Sequence, residues 1–166
     1  TNRGITLATF RGFYRNNRLS KEDLRNITDA QVAELYRKRY WDAVRGDDLP
    51  AGVDYAVFDF GVNSGPARAA KALQKVVGAA QDGAIGPQTL AATAARPPGP
   101  VITELCAGRL AWLQTLKTYS TFGRGWARRV SEVQRDALAL VLEPQAVPSP
   151  LPTFQPPPVV QRPPVG

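Results

Sequence analysis

The chain has no histidine, no methionine and a single cysteine, Cys106, in 166 residues. The missing imidazole excludes Ser-His-Asp and Cys-His catalysis, which both need it as the base. With one thiol and no histidine, a structural zinc site lacks its usual ligands and no intrachain disulfide can form. Neither a metal nor a cofactor is expected, so acid–base chemistry falls to carboxylates. Long apolar runs are missing as well. Nothing reaches the roughly 18–20 residues of a membrane span, and nothing resembles a signal peptide. Acids are outnumbered: 14 Asp and Glu face 21 Lys and Arg, for a formal charge of +7. Such a balance favours polyanions such as nucleic acid, anionic lipid or the bacterial wall. No nucleic-acid recognition motif accompanies the charge, and the arginines are scattered as on solvated faces, so nucleic acid is not an expected partner.

What is present reads as all-α. Leu7, Phe10 and Tyr14 recur at helical spacing. Ser20-Lys-Glu-Asp23 and Thr28-Asp-Ala-Gln31 are both capping boxes, a hydroxyl followed three residues on by an acid or amide. The second opens a helix whose stripe is Val32, Leu35, Tyr36, Tyr40 and Val44. The run "VDYAVFDFGVNSG", Val53 to Gly65, is apolar nearly all round and predicts a buried central helix, with a strand as the lesser alternative. Pro66 and Pro87 suit first helical turns. A long helix is expected from about Val101 to Tyr119, a break at "FGRG", and a last helix from Trp126 to about Leu142. From Glu143 the composition turns Pro-rich, which predicts an extended or disordered linker. The organisation expected is an N-terminal part over 1–50, a helical lobe over 51–142 and a tail over 143–166.

Three stretches suggest chemistry. In "TNRGIT", Gly4 permits a tight turn into the helix that follows. In "FDFGVNSG", Asn63 either caps the helix end or faces a cleft and binds a substrate hydroxyl or acetamido group. Asp59, one turn earlier, is expected to pair with an arginine rather than act in catalysis. In "QDGAIGPQTL", a turn, one buried Ile and a Pro-started helix fall within a few residues. Asp82 and Thr89 there serve either as turn and cap or as ligand contacts.

The strings "TNRGIT", "YWDAVRGDDLPAGVDYAVFDFGVNSGPARAAKALQKVVG", "DGAIGPQTLAA" and "GRGWARRV" resemble, in this order, glycoside hydrolase family 108. The members are bacterial and phage N-acetylmuramidases with a peptidoglycan-binding second half. The resemblance spans Thr1 to Leu142 and implies a lysozyme-like, two-lobed helical fold with peptidoglycan as partner and the cell wall as the place of action. The family signature starts with Glu-Gly-Gly-Tyr and an Asp ahead of the matching Thr. The resemblance therefore implies a catalytic segment before Thr1 that these residues do not contain. It makes Thr1 an auxiliary that holds water. It places Asn63 at the cleft, makes Tyr55 and Phe60 either cleft wall or core packing, and puts Trp126 and Arg129 in the Gly-Trp-x-x-Arg motif, with Arg129 pairing a catalytic or wall carboxylate. It associates Asp82 and Thr89 with stem peptide. Arg128 departs from the family pattern, in which Asn is more usual.

Two expectations follow from that resemblance. A chain without the acid has little activity, and it is either a monomer or a dimer through the groove that the absent helix leaves. The alternative reading is a non-catalytic peptidoglycan-binding protein.

Overall fold

The computed structural model describes residues 1–142; the Pro-rich stretch 143–166, read from sequence as a linker, lies outside the described residues. The described residues divide into two compact units, 1–39 and 40–142. No strand of more than an isolated bridge occurs among the described residues.

The first unit opens on a tight turn. Asn2 and Ile5 exchange both backbone hydrogen bonds at 2.9 Å. Arg3 and Gly4 between them have φ of 50° and 76°. Two left-handed central residues are the pattern of a type I′ turn, which Gly accepts without steric cost. Arg3 tolerates it because the turn is anchored on several sides. The Asn2 amide donates to the Leu24 and Arg25 carbonyls, the Tyr36 hydroxyl donates to the Arg3 carbonyl at 3.0 Å, and the Arg3 guanidinium pairs with Asp29.

Thr6 then caps α1 (Leu7–Tyr14) by accepting from the Thr9 amide. Both expected capping boxes are formed. Ser20 and Asp23 close one at the start of α2 (Lys21–Arg25), and Thr28 and Gln31 close the other at the start of α3 (Asp29–Tyr36). The helix after Thr28 is shorter than its apolar stripe suggested. It ends at Tyr36, and a π turn over Arg37–Trp41 follows. A π turn inserts one residue into the helical register, so the 3.6-residue repeat cannot run on through Tyr40.

The second unit holds the larger core. The central helix of the sequence reading is α4 (Val53–Ser64), followed by α5 (Pro66–Val77), α6 (Pro87–Ala94), α7 (Pro98–Gln114) and α8 (Tyr119–Leu142). Helix α4 packs on α5, α7 and α8, and α7 and α8 pack on each other. Val53, Ala56, Val57 and Phe60 of α4 meet Ala69, Leu73, Ile102, Leu105, Cys106, Val130 and Val133 in one core. Gly52 starts α4 with φ of 89°, and a Cβ there would lie 2.4 Å from the Ala137 carbonyl oxygen. Only glycine lets the start of α4 approach α8 so closely.

Two boundaries differ from expectation. The long helix expected from about Val101 starts earlier, with Pro98 in its first turn, where an absent N–H costs nothing. "FGRG" does not break the chain, since Gly123 and Gly125 lie inside α8 and the break falls instead between Gln114 and Tyr119. Packing explains Gly123: a Cβ there would lie 2.7 Å from the Tyr119 ring. The glycine makes room for an aromatic one turn earlier and does not end the helix.

Candidate active site

Helix α4 carries a carboxylate on its buried face. Asp59 is 3% exposed, and a charge so far from water must be paired. Arg109 of α7 and Arg129 of α8 converge on it. Arg109 Nη1 donates to Asp59 Oδ2 at 2.7 Å, and Arg129 donates to Oδ1 through Nη2 at 2.5 Å and Nε at 3.2 Å. The Arg109 guanidinium also lies 5.2 Å from the centre of the Phe60 ring. One carboxylate between two guanidinium groups leaves this cluster formally one positive charge in excess. Arg129, assigned from the family motif to a catalytic or wall carboxylate, has Asp59 as its observed partner.

One turn beyond Asp59, the Asn63 amide nitrogen donates to the Asp59 carbonyl at 3.0 Å and to its Oδ2 at 3.3 Å. Both neighbours are acceptors, so they fix which end of the amide is nitrogen. The carbonyl oxygen of Asn63 is thereby turned away, and no described residue donates to it. One turn before Asp59, Tyr55 is half-buried, and its phenol is pushed up first by burial and then by the Asp59 charge. Asn63, Tyr55, Phe60 and Arg129 are therefore brought together around Asp59. Phe60 itself is buried in the core, as the packing alternative for it required. Trp126, one turn before Arg129, is half-buried against Tyr119 and Phe122, with ring centres 6.2 and 5.8 Å apart.

The "QDGAIGPQTL" loop is organised by a residue outside it. Gln74 of α5 is fully buried, and its amide nitrogen donates to Asp82 Oδ1 at 2.7 Å, the Ala84 carbonyl at 3.0 Å and Thr89 Oγ1 at 3.1 Å. Its carbonyl accepts from the Gly83 amide at 3.0 Å. Asp82 also accepts from the Ala84 amide, and together these bonds hold its carboxyl below the usual aspartate range. Thr89 is enclosed at 4% exposure, and Ile85 is buried as expected. The cap of α6 is Gly86 rather than a side chain. In the first unit Thr1 is exposed, just ahead of the Asn2–Ile5 turn.

The sequence reading missed Arg109 and Gln74. Each had a signal. Arg109 occupies a core position in the stripe Ile102, Leu105, Cys106, Leu113, and Gln74 follows Leu73 on the buried face of α5. No group of three or more potential metal ligands occurs among the described residues, and none of their helices is long and apolar enough to cross a membrane.

Residues 1–65 match the family model Glycosyl hydrolase 108. No curated protein matches the chain. Among solved structures, that of Brucella abortus SagA matches with a TM-score of 0.77 at 51% identity, over 84% of this chain and 80% of that one. Identity and coverage at this level carry more than a shared helical fold, and they agree with the four motifs from Thr1 to Val130. The chain belongs to glycoside hydrolase family 108.

Proposed function

We propose that this glycoside hydrolase acts on peptidoglycan as an N-acetylmuramidase, cleaving the β-1,4 bond from N-acetylmuramic acid to N-acetylglucosamine. The observation that carries the reading is the family match, which runs from Thr1 to Gly65 and so includes both Thr1 and the Asn63 motif. The positive charge of the chain suits a wall rich in peptide carboxylates.

Breaking a glycosidic bond needs a carboxylic acid to protonate the leaving oxygen and a second group across the ring. The Glu-Gly-Gly-Tyr acid implied by the family does not occur in residues 1–166. Several carboxylates that do occur have other roles. Both Asp59 oxygens already accept from arginines, so neither presents an O–H to a leaving group. Asp23 closes a capping box, Asp82 holds its loop and Glu104 pairs with Arg96. A polypeptide of residues 1–166 alone therefore turns over poorly. In this reading Asp59 and its arginines position Asn63, whose free carbonyl accepts from a sugar N–H or O–H. The family motifs assign Tyr55 and Trp126 to sugar contact and Thr1 to the attacking water. Asp82 and Thr89 serve the loop.

Digestion of purified sacculi tests this. The chain is compared with the same chain carrying the family's Glu-Gly-Gly-Tyr segment ahead of Thr1, and products are read by mass spectrometry. Reducing-end N-acetylmuramic acid from the longer chain alone is expected. Reducing-end N-acetylglucosamine, or equal turnover by both chains, overturns the reading.

A further inference from the structure

A groove of about 820 Å³ runs between α5 and α7, beside the C-terminal end of α4. One wall is cationic: Arg68, Lys71 and Lys75 line it from successive turns of α5, and no acid occurs in that helix. None of the three has an acidic partner among the described residues. The one acid lining the groove, Glu104, is occupied by Arg96 at 2.6 Å. The other wall carries Trp112, whose ring lies 4.2 Å below the Arg68 guanidinium. Between Glu104 and Trp112 stands Gly108, in the interior of α7, where glycine is unfavourable by about 1 kcal/mol against alanine. No packing contact accounts for it, since a Cβ there would meet nothing within 4 Å. Any longer side chain at this position would project into the groove.

We propose that this groove binds the acidic stem peptide of peptidoglycan; the choice of ligand rests on the muramidase reading above. The cations stand about 4.5 and 6 Å apart along the helix axis, at 1.5 Å per residue. An extended peptide advances about 3.3–3.6 Å per residue, so carboxylates one or two residues apart meet successive cations. The stem peptide supplies such carboxylates on D-glutamate, diaminopimelate and the terminal D-alanine. Trp112, stacked on Phe60 and lying beneath the Arg68 guanidinium, holds that cation at the groove.

The test is titration of the isotope-labelled full chain with sugar-free L-Ala-γ-D-Glu-meso-diaminopimelate-D-Ala, followed by amide chemical shifts. Shifts on α5 and α7 are expected. Both Lys71→Glu with Lys75→Glu, and separately Gly108→Leu, should weaken binding by about tenfold or more, a loss consistent with hydrogen bonds to charged groups. Gly108→Leu keeps every charge and sits on an exposed helix face, so unchanged melting shows that it folds. Asn63→Ala should leave this binding unchanged. No shifts at about 5 mM peptide, a range that detects even millimolar affinity, overturn the proposal. So does indifference to Gly108→Leu. The same shifts from peptide-free glycan strands, or equal affinity for a glycerol phosphate oligomer, reassign the groove and also overturn it. Peptide binding is read without hydrolysis, so a failed muramidase assay leaves this result standing on its own.

Discussion

Arg109 Nη1 lies 2.7 Å from Asp59 Oδ2, with both side chains at least 95% buried. Arg129 joins the same carboxylate from α8, with 30% of its side chain still exposed. Three helices are thus tied at one charge, and the two arginines differ in how far each can fall back on water.

Removing the shared carboxylate strands a buried guanidinium. Asp59→Ala is expected to destabilise by about 3–5 kcal/mol, the cost of breaking a buried pair from one side. Arg129→Ala should cost less, because Arg109 still satisfies the carboxylate and the vacated edge is wet. Replacing Asp59 and Arg109 together by leucine should recover much of the loss. Urea denaturation of Asp59→Leu, Arg109→Leu and the double variant checks this, and strict additivity contradicts it.

Gln74 holds the loop before α6 through four hydrogen bonds. Gln74→Ala should destabilise by about 2–3 kcal/mol, since it opens a hole and leaves enclosed polar groups unpaired. Amide exchange should accelerate at Gly83 and Ala84 more than in α7. Uniform acceleration means the loop has no independent dependence on Gln74.

The same loop has a pH signature. The Asp82 carboxyl is held below its ordinary value by the Ala84 amide and by Gln74. A depressed carboxyl stabilises the fold above the unfolded pKa of about 3.9. That contribution fades as pH falls from there through the lower folded value. Asp82→Asn should flatten this part of the stability profile below about pH 4 and leave the profile near neutrality parallel to wild type. Titration of the Asp82 carboxyl by carbon NMR gives the direction directly.

Two glycines two residues apart in α8 should respond oppositely to alanine. At Gly125 a Cβ meets nothing within 4 Å, so Gly125→Ala should stabilise by up to about 1 kcal/mol through helix propensity. At Gly123 the Cβ lands on the Tyr119 ring, so Gly123→Ala should destabilise. Melting temperatures of the two variants decide it, and gains at both positions show that Tyr119 yields freely.

Asn63→Ala should lower kcat/KM on sacculi by about 2–10-fold in a chain carrying the catalytic segment, the range of one neutral hydrogen bond. Its melting temperature should fall little, because Asp59 keeps both arginines. A large loss of stability with an unchanged kcat/KM marks Asn63 as structural.

These contrasts follow what was legible in the sequence and what was not. The caps at Ser20 and Thr28 and the prolines at the starts of α5 and α6 act on backbone groups within a few residues, so the string reveals them. The pairing of Asp59 with an arginine followed from burial alone, but its partners lie 50 and 70 residues away, and no local pattern selects Arg109 from many arginines. Gln74 is a similar case, since its use depends on Asp82, Ala84 and Thr89 folding back upon it. The glycines of "FGRG" were misread as a stop because the ring that requires Gly123 lies on the same helix, one turn back. Thr1 and Asn63 owe their proposed roles to family motifs, whereas Arg68, Lys71 and Gly108 emerged only when α5 and α7 were set side by side.

The lone cysteine offers a practical opening. Cys106 is 2% exposed in the core of the second unit, and burial pushes its thiol up to about 11. The thiolate is the nucleophile, so at neutral pH this residue stays silent toward alkylating reagents while the fold holds. A cysteine introduced at exposed Gly108 or Arg68 would then be the one reactive thiol in the native protein. A fluorophore or spin label could be placed there without first removing Cys106, and reaction at Cys106 itself would time the opening of the core.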